Sequence, residues 1–438
     1  MRLLRKELPA MLEQLATIPD PRDPKKCRHK LTVLLLYGLL MFVFQFASRR
    51  EVNREMTRPQ FIASLQLLFP EINALAHADT LFRLLRDIDL THLEQVHVDL
   101  VKRLIRGKCF HRYLIKHCYP IAIDGSQKLA GDTLWAEELL QRTVGQAENR
   151  HTQYFVYVLE ASLVFHNGLV IPLLSEFLEY ALGDSDAHKQ DCGLRGFARL
   201  SDRLKTLFPR LPILLLLDGL YAKGPVMQRC RAYHWQFMIV LKDKDLPSVW
   251  REFNALHGLK PLVLQRCWGR RRQRFSWVND IDTTYAVNGS RHLKLHLVVC
   301  EESWERIDPH ATTVTQKSRH AWLSSEPLSP DNVHARCNLG ARHRWGIEAG
   351  FLVEKHQGYP CEHAFALHWN AMRGYHLLMR LAHVFNALAR RTRQLRHLYY
   401  ELGVRGAIRF IRDSCAAPWL DPAHMRVLLA KPFLLQLE

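Results

Sequence analysis

The sequence predicts an α/β protein in which a mixed sheet in the middle of the chain is preceded and followed by helices. Three observations support this prediction. Apolar residues recur with the helical period up to about residue 118. The pattern then changes to short, strongly apolar runs typical of buried strands. Helical periodicity returns from about residue 338 onward.

The composition is that of a globular protein with more than one domain. A chain of 438 residues exceeds what one hydrophobic core usually supports. Its ten cysteines show no regular spacing, which predicts a reduced, intracellular protein. The apolar run 33–47 contains Gln45 and is too short for a comfortable membrane span, so it predicts a buried helix. We therefore predict a cytoplasmic protein.

The charge of the chain is its unusual feature. Lys and Arg number 61 against 43 Asp and Glu, which gives a formal net charge of +18. Such an excess indicates a polyanionic partner, because each Lys or Arg laid on a phosphate releases condensed counterions. The run Arg270, Arg271 and Arg272 is a candidate DNA-binding segment. A single run of this kind is also typical of a solvated face.

The first 118 residues predict an all-helical, basic domain. Apolar residues at Leu81, Leu84 and Ile88 follow the helical period. Thr91 and Glu94 have the spacing of a capping box, which predicts that a second helix opens there.

The middle of the chain predicts a sheet with a definite order of elements. A short strand at 119–124 is followed by runs 154–165 and 169–176, joined by the hairpin signal His166-Asn167-Gly168. A polar helix at 186–208 leads to the apolar strand 213–217, and a further helix leads to the strand 237–241. Strand, hairpin, helix, strand, helix, strand is the order of the ribonuclease-H-like fold.

The rest of the chain completes the predicted domain organisation. Residues 243–335 read as a β-rich insertion, with a strand at 293–300 and turn chemistry at Asn288-Gly289. A long apolar helix is predicted around 364–389. The predicted domains are a helical domain 1–118, a first core part 119–242, the insertion 243–335, core helices 336–395 and a helical segment 396–438.

Two aspartates follow predicted central strands. Asp124 and Asp218 each precede a glycine and end an apolar run, where open α/β sheets place ligands and catalytic groups. If the strands are neighbours, the carboxylates face one another and could hold a divalent metal. The alternative for a single strand-end aspartate is that it caps the next turn.

Other acids compete with Asp218 for the second position. Asp243 and Asp245 lie in an alternating turn after the strand 237–241 and have the pattern of solvated residues. A further group is typical of a helix amino terminus, where the helix dipole favours acids. It comprises Asp184, Asp186 and Asp191.

A third acid is predicted on a helix. Arg344, Glu348 and Lys355 are spaced four and seven residues apart, which places them within about 40° of one another on one face. A solvated Arg-Glu pair is the alternative. It does not explain why this stripe interrupts a segment otherwise rich in Trp, Ile, Phe and Leu.

This last segment resembles the tyrosine-arginine-glutamate-lysine signature of insertion-sequence DDE transposases with a β-strand insertion before the glutamate. Arg344, Glu348 and Lys355 match the signature, whereas Ala341 stands at the tyrosine position. Segments 79–89, 121–127, 189–192 and 214–222 look similar to the same family, so the resemblance covers about residues 30 to 390.

The resemblance implies a ribonuclease-H-like core in which Asp124, Asp218 and Glu348 are the catalytic, metal-binding residues. They would hold two Mg²⁺ ions, with Mn²⁺ able to substitute, because hard cations require oxygen ligands. Arg344 and Lys355 would contact the DNA backbone. Trp345 would stack on an unpaired base, with core packing as the alternative.

The implied function is cut-and-paste DNA transposition, a recombination reaction with endonuclease and strand-transfer steps. The partners would be double-stranded DNA with inverted-repeat ends and a target, bound by a homodimer assembled on DNA in association with a bacterial nucleoid. The amino-terminal helical domain would recognise the ends. Two alternatives remain open: a metal-dependent nuclease without strand transfer, and a catalytically silent DNA-binding protein derived from a transposase.

Overall fold

The computed structural model describes residues 10–69, 72, 74–146, 149–180, 192–286, 290–307, 313–416, 426 and 430. It shows a mixed α/β protein with one large mixed sheet and flanking helices, which confirms the predicted fold class at this level. Several predicted features lie outside the described residues. These are Asp184, Asp186, Asp191, the turn Asn288-Gly289 and most of the segment 189–192.

The described part of the amino-terminal region is mainly helical, as predicted. Its principal helices are α1 Leu31–Val43, α2 Arg49–Met56, α3 Pro59–Leu68, α4 Ala78–Asp87 and α5 Leu90–Arg106. Nearly every residue of α1 is buried, which confirms that the apolar run forms a buried helix. None of the described helices is long and apolar enough to cross a membrane.

The predicted capping box at the start of α5 is wrong. The helix begins at Leu90, and its cap is Asp89, whose carboxylate accepts a hydrogen bond from the Thr91 backbone N–H at 2.9 Å. Aspartate is as good an N-cap as threonine, and it stands two residues earlier in the chain. Thr91 therefore lies inside the first turn instead of ahead of it.

The sheet contains ten described strands. They are β1 Tyr119–Gly131, β2 Leu140–Val144, β3 His151–Val164, β4 Val170–Leu178, β5 Ile213–Leu217, β6 Gln236–Val240, β7 Leu262–Trp268, β8 Arg271–Ala286, β9 Ser290–Ile307 and β10 Thr313–Ser324. The later helices are α6 Gly193–Leu207, α7 Gly224–Ala232, α8 Pro247–Leu259, α9 Gly346–His356, α10 Trp369–Ala389 and α11 Arg396–Ala416.

The strand order places β1 and β5 at the centre. The order is β2-β3-β1-β5-β6-β10-β9-β8-β7, with β4 also paired to β3. Strands β1, β5 and β6 run parallel, whereas β3 pairs with β1 and β10 pairs with β6 in antiparallel fashion. The strands of the stretch 262–324 thus extend the central sheet beyond β6. This stretch is preceded by α8, a helix that the β-rich pattern of 243–335 did not predict.

The sheet packs a different core on each of its faces. Side chains alternate along a strand, so residues two apart share a face. Ala122 of β1 and Leu216 of β5 belong to one cluster together with Ile347 and Phe351 of α9. Their neighbours in sequence belong to the main core, which also contains the amino-terminal helices and α10. Helix α9 therefore covers the face to which Ala122 and Leu216 point.

Helix α10 begins at Trp369, five residues after the predicted start at 364. Residues 364–368 ahead of it are not helical. Just before them, the Cys361 carbonyl accepts a hydrogen bond from the buried Lys128 ammonium group of β1 at 2.8 Å.

A buried ion cluster connects α10 to α9 and to the sheet. Arg380 of α10 contacts Glu160 of β3 at 2.6 Å and Glu354 of α9 at 2.9 Å. His376 contacts the Glu160 carboxylate at 3.1 Å, and His383 contacts the Glu354 carboxylate at 2.6 Å. Burial by itself raises the pKa of Glu354, but the Arg380 charge and the His383 hydrogen bond outweigh it and lower that pKa. Both carboxylates are therefore ionised and satisfied inside the protein.

Replacing Arg380 with Met should lower the free energy of unfolding by about 3–5 kcal/mol, because two buried carboxylates lose their shared cation. Urea unfolding followed by circular dichroism measures the change. Arg373→Met is the matched control on the same helix, since Arg373 is 39% exposed and lies 3.8 Å from Glu179. Its effect should stay below about 1 kcal/mol. Equal losses in both variants would contradict the structural role of Arg380.

Candidate active site

The parallel register of β1 and β5 brings the two predicted aspartates side by side. Ala122 pairs with Leu216, so two residues further along each strand stand Asp124 and Asp218. Neighbouring strands lie about 4.8 Å apart. Because of the alternation along each strand, both carboxylates point to the face that α9 covers.

The sequence predicted that Asp124 ends its strand, but in the structure it lies within the strand. Strand β1 continues to Gly131 because β3 keeps pairing with it, and Asp124 lies directly opposite Glu160. The pairing of β1 with β5 does end near this point. Asp218 follows the last residue of β5, as predicted. Both acids therefore stand where the two central strands part.

Helix α9 brings the third acid to the same place. Arg344 donates a hydrogen bond to Glu348 Oε1 at 2.8 Å and contacts Asp124 Oδ2 at 3.3 Å. The arginine side chain is 8% exposed, whereas those of Asp124 and Glu348 are 24% and 36% exposed. One nearly buried guanidinium thus bridges an acid of β1 and an acid of α9.

The three carboxylates share one electrostatic environment. Burial raises the pKa of Asp124, and the nearby charges of Asp218 and Glu348 raise it further. The Gly125 backbone N–H and the Arg344 guanidinium act in the opposite direction, but the net shift of this pKa is upward. Asp124 is therefore the acid on which burial and the charges of the other two acids act together.

Asp218 also forms the cap that the sequence analysis considered as its alternative role. Its Oδ1 accepts a hydrogen bond from the Leu220 backbone N–H at 2.9 Å, which begins a short 3₁₀ turn. This bond fixes the orientation of the carboxylate. Since a carboxylate has several acceptor sites, capping does not prevent it from binding a metal.

Two tyrosines beside the acids were missed by the sequence analysis. Burial raises the pKa of Tyr157, and the charges of Asp124 and Asp218 raise it further. The same causes, in the same order, raise the pKa of Tyr221. A side chain at Gly125 would place its Cβ 2.3 Å from the Tyr157 ring, so this glycine makes room for the tyrosine. The glycine after the first aspartate was the one available signal.

The predicted stripe of Arg344, Glu348 and Lys355 is divided in the structure. Arg344 lies in a 3₁₀ turn that precedes α9, and it reaches the acids. Lys355 lies in the last turn of α9, where its ammonium group contacts the Gln127 carbonyl at 3.1 Å and Glu362 at 2.9 Å. Lys355 therefore contacts the continuation of β1 and the segment that follows α9 instead of the three acids. Ala341 is buried in the core beneath α9.

Core packing, the alternative role for Trp345, is wrong. The side chain is 63% exposed. The Arg344 guanidinium carbon lies 5.2 Å from the centre of its ring. Both residues line an open cleft of about 780 Å³, which Asp218 also borders. The indole is therefore presented to whatever enters the cleft beside the acids.

The predicted arginine run and the competing aspartates are also placed by the structure. Arg271 lines the cleft, whereas Arg270 is exposed in the turn between β7 and β8 and Arg272 is exposed on the opposite face of β8.

The two competing aspartates lie in the turn after β6. Asp243 borders the cleft and pairs with Arg319. Asp245 is partly exposed in the same turn. Neither acid is among the main causes of the pKa shift of Asp124.

The donor chemistry of the three acids fits magnesium. Asp124, Asp218 and Glu348 offer only carboxylate oxygens, the ligands that hard divalent cations prefer. In the described arrangement the Arg344 guanidinium, a cation, lies between Asp124 and Glu348. Within the residues that the structure describes, no group of three or more His, Cys, Asp or Glu side chains is arranged closely enough to hold a metal ion.

Comparison with known proteins concerns the amino-terminal helices. Residues 12–101 match a family model described as DDE_Tnp_1-associated, and the match ends before β1 begins. No curated protein matches the chain significantly. The family match indicates that this chain is related to DDE transposases.

Proposed function

We propose that this protein is a DDE transposase that cleaves and joins DNA at the ends of an insertion sequence, with Asp124, Asp218 and Glu348 as its catalytic acids. One observation carries the proposal. The register of β1 and β5 aligns the two aspartates, and Arg344 links Asp124 to Glu348. The family match of residues 12–101 supports it independently, because that stretch contains none of the three acids.

We also propose that the core is ribonuclease-H-like. Strands β4, β3, β1, β5 and β6 follow one another in the sheet, with an antiparallel β3–β4 hairpin and three parallel strands. This is the arrangement expected from the order of elements in the sequence. The β7–β10 strands then form the insertion, joined to the core through the pairing of β10 with β6.

The three acids would hold two Mg²⁺ ions, for which Mn²⁺ could substitute. When bound, such a metal pair supplies activation of an attacking water or 3′-hydroxyl and stabilises the leaving oxygen. The chain itself positions the DNA strand. Arg344 is suited to contact a backbone phosphate next to the acids, because guanidinium groups bind phosphate oxygens in pairs. Lys355, beside Gln127, would contact the backbone further along β1.

The partners would be double-stranded DNA, with inverted-repeat ends and a target, and a second copy of the chain assembled on that DNA. The amino-terminal helices would recognise the ends. A groove between α2 and the start of α4 offers a surface for this contact. It is bordered by Arg49, Arg50, Arg54 and His77.

Replacing Asp124, Asp218 or Glu348 with its amide should reduce Mg²⁺-dependent nicking of end DNA by several orders of magnitude, because each would supply metal ligands. DNA binding should persist, since phosphate affinity comes from Lys and Arg. Nicking is measured on a labelled duplex, and binding by fluorescence anisotropy without divalent metal. Asp243→Asn, in the same cleft, is the matched control and should nick normally.

The outcomes separate the proposal from its alternatives. If Asp218→Asn nicks DNA at the wild-type rate and the Asp243 or Asp245 variant does not, that other aspartate is the second catalytic acid. Wild-type nicking without any joined product would favour a metal-dependent nuclease. Specific binding of end DNA without any cleavage would favour a silent transposase-derived DNA-binding protein.

Arg50→Ala and Arg54→Ala should reduce the preference for end DNA over random duplex, if the groove at α2 reads the ends. Point substitutions are preferable to truncation, because the amino-terminal helices share the main core with α10. A lost contact of this kind costs about 1–3 kcal/mol of discrimination. Competition binding at one salt concentration measures it, with the exposed Arg106→Ala as control. An unchanged preference in both groove variants would contradict end recognition by this groove.

Trp345→Ala should leave the melting temperature close to that of the wild type, because the side chain is mostly exposed. If the indole stacks on an unpaired base, the variant should slow a step after the first nick by about fivefold or more, given ~1–3 kcal/mol per stacked base. Trp345→Phe should retain part of the rate. A melting curve beside a time course of nicking and joining tests this. Normal rates in Trp345→Ala would exclude the stacking role.

A further inference from the structure

A buried carboxylate organises two arginines on the wall of the cleft. The Glu302 side chain, in β9, is fully buried and accepts a hydrogen bond from Arg271 Nη1 at 2.7 Å. It also pairs with Arg342, from the 3₁₀ turn ahead of α9. Gln273 and Ser318 donate further hydrogen bonds to the same carboxylate. Neither Glu302 nor Arg342 was predicted from the sequence to belong to a site.

Each of the two arginines also lies over an indole ring. The guanidinium carbon of Arg271 is 4.0 Å from the centre of a Trp304 ring, and that of Arg342 is 4.9 Å from Trp268. A guanidinium bonded at one edge and stacked on its face loses little further freedom when a ligand binds. Both arginines are therefore preorganised.

The two arginines present a net positive charge to the cleft. Arg271 is 35% exposed and Arg342 is 17% exposed, and both line the cleft that Asp218 and Arg344 border. One carboxylate faces two guanidinium groups, which leaves an excess of one positive charge. His320 lies 3.9 Å from Glu302, but burial and the Arg342 charge lower its pKa, so it remains neutral at neutral pH.

The opposite face of the same two strands offers a contrast. There Arg274 of β8 pairs with Glu301 of β9 at 3.2 Å, and both side chains are about half exposed, at 47% and 51%. An exposed one-to-one pair of this kind contributes little and holds neither side chain firmly. Burial of Glu302 beneath two arginines is costly unless all its oxygens are satisfied, and its four donors satisfy them.

We propose that Arg271 and Arg342, held by Glu302, form a clamp that binds one backbone phosphate of the DNA strand lying in the cleft. Two guanidinium groups at fixed positions can surround the oxygens of one phosphate with charge-assisted hydrogen bonds. Glu302 acts as a positioning residue and does not touch the DNA. The proposal rests on the proposed function insofar as the strand in the cleft is DNA.

The experiment measures binding of a random-sequence DNA duplex by the full-length protein, by fluorescence anisotropy over a range of salt concentrations without divalent metal. Arg271→Gln and Arg342→Gln should each weaken binding by about tenfold. Each should reduce the slope of log affinity against log salt by about one, as for one lost phosphate contact. The double variant should lose little more slope than either single variant, because both arginines bind the same phosphate.

The direction in which Glu302→Gln changes the affinity for DNA is a further test of the clamp. Removing a negative charge should strengthen DNA binding if charge alone matters. The clamp predicts weaker binding, because the arginines lose the carboxylate that orients them. Glu301→Gln is the matched control on the opposite face, and it should bind DNA as tightly as the wild type or slightly more tightly. Melting curves establish that each variant is folded, and the two arginine variants decide the matter if Glu302→Gln is not.

The clamp is wrong if folded Arg271→Gln and Arg342→Gln bind with wild-type affinity and salt slope. It is also wrong if folded Glu302→Gln binds as tightly as Glu301→Gln. Failure of the proposed function has a different signature. If the variants weaken DNA binding as the clamp predicts but the wild-type protein never nicks end DNA with Mg²⁺, the proposed cleavage is refuted and the clamp is not.

Discussion

The arrangement of the candidate active site depends on one buried cation, Arg380. One of its two carboxylate partners lies on the helix of Glu348, and the other lies on the strand next to that of Asp124. Glu160 stands directly across the β1–β3 ladder from Asp124, and Glu354 lies on the same helix as Glu348. Because charges inside a protein must be paired, α9 can dock on the sheet only where Arg380 reaches both carboxylates. This constraint fixes the distance between the strand and the helix of the site.

Two arginines thus bridge carboxylates of the sheet and of α9, with different consequences. Arg380 and its partners are fully buried, and the two histidines complete the cluster, so it is closed to ligands. Arg344 bridges Asp124 and Glu348 at the edge of the cleft, where both carboxylates remain partly exposed. The inner cluster is therefore structural. The outer one is accessible from the cleft that Arg344 lines.

Strands β7–β10 belong to the same sheet as β1 and β5. Strand β10 pairs with β6 and β9, so the wall that carries Glu302 continues the central sheet. Arg342 connects this wall to the turn just before α9, two residues from Arg344. One cleft is consequently bordered by Asp218, by the exposed Trp345 and by arginines of both the wall and the turn.

The sequence by itself determined what depends on local periodicity. The helical amino-terminal region, the apolar runs that lead to Asp124 and Asp218, and the helix of Glu348 were all predictable, because burial imposes a period on neighbouring residues. Tertiary structure decided the rest. Arg344 contacts Asp124 across 220 residues of chain, while Lys355 turns away from the acids. Contacts between distant segments leave no periodic trace in either segment, so only the folded sheet and its register reveal them.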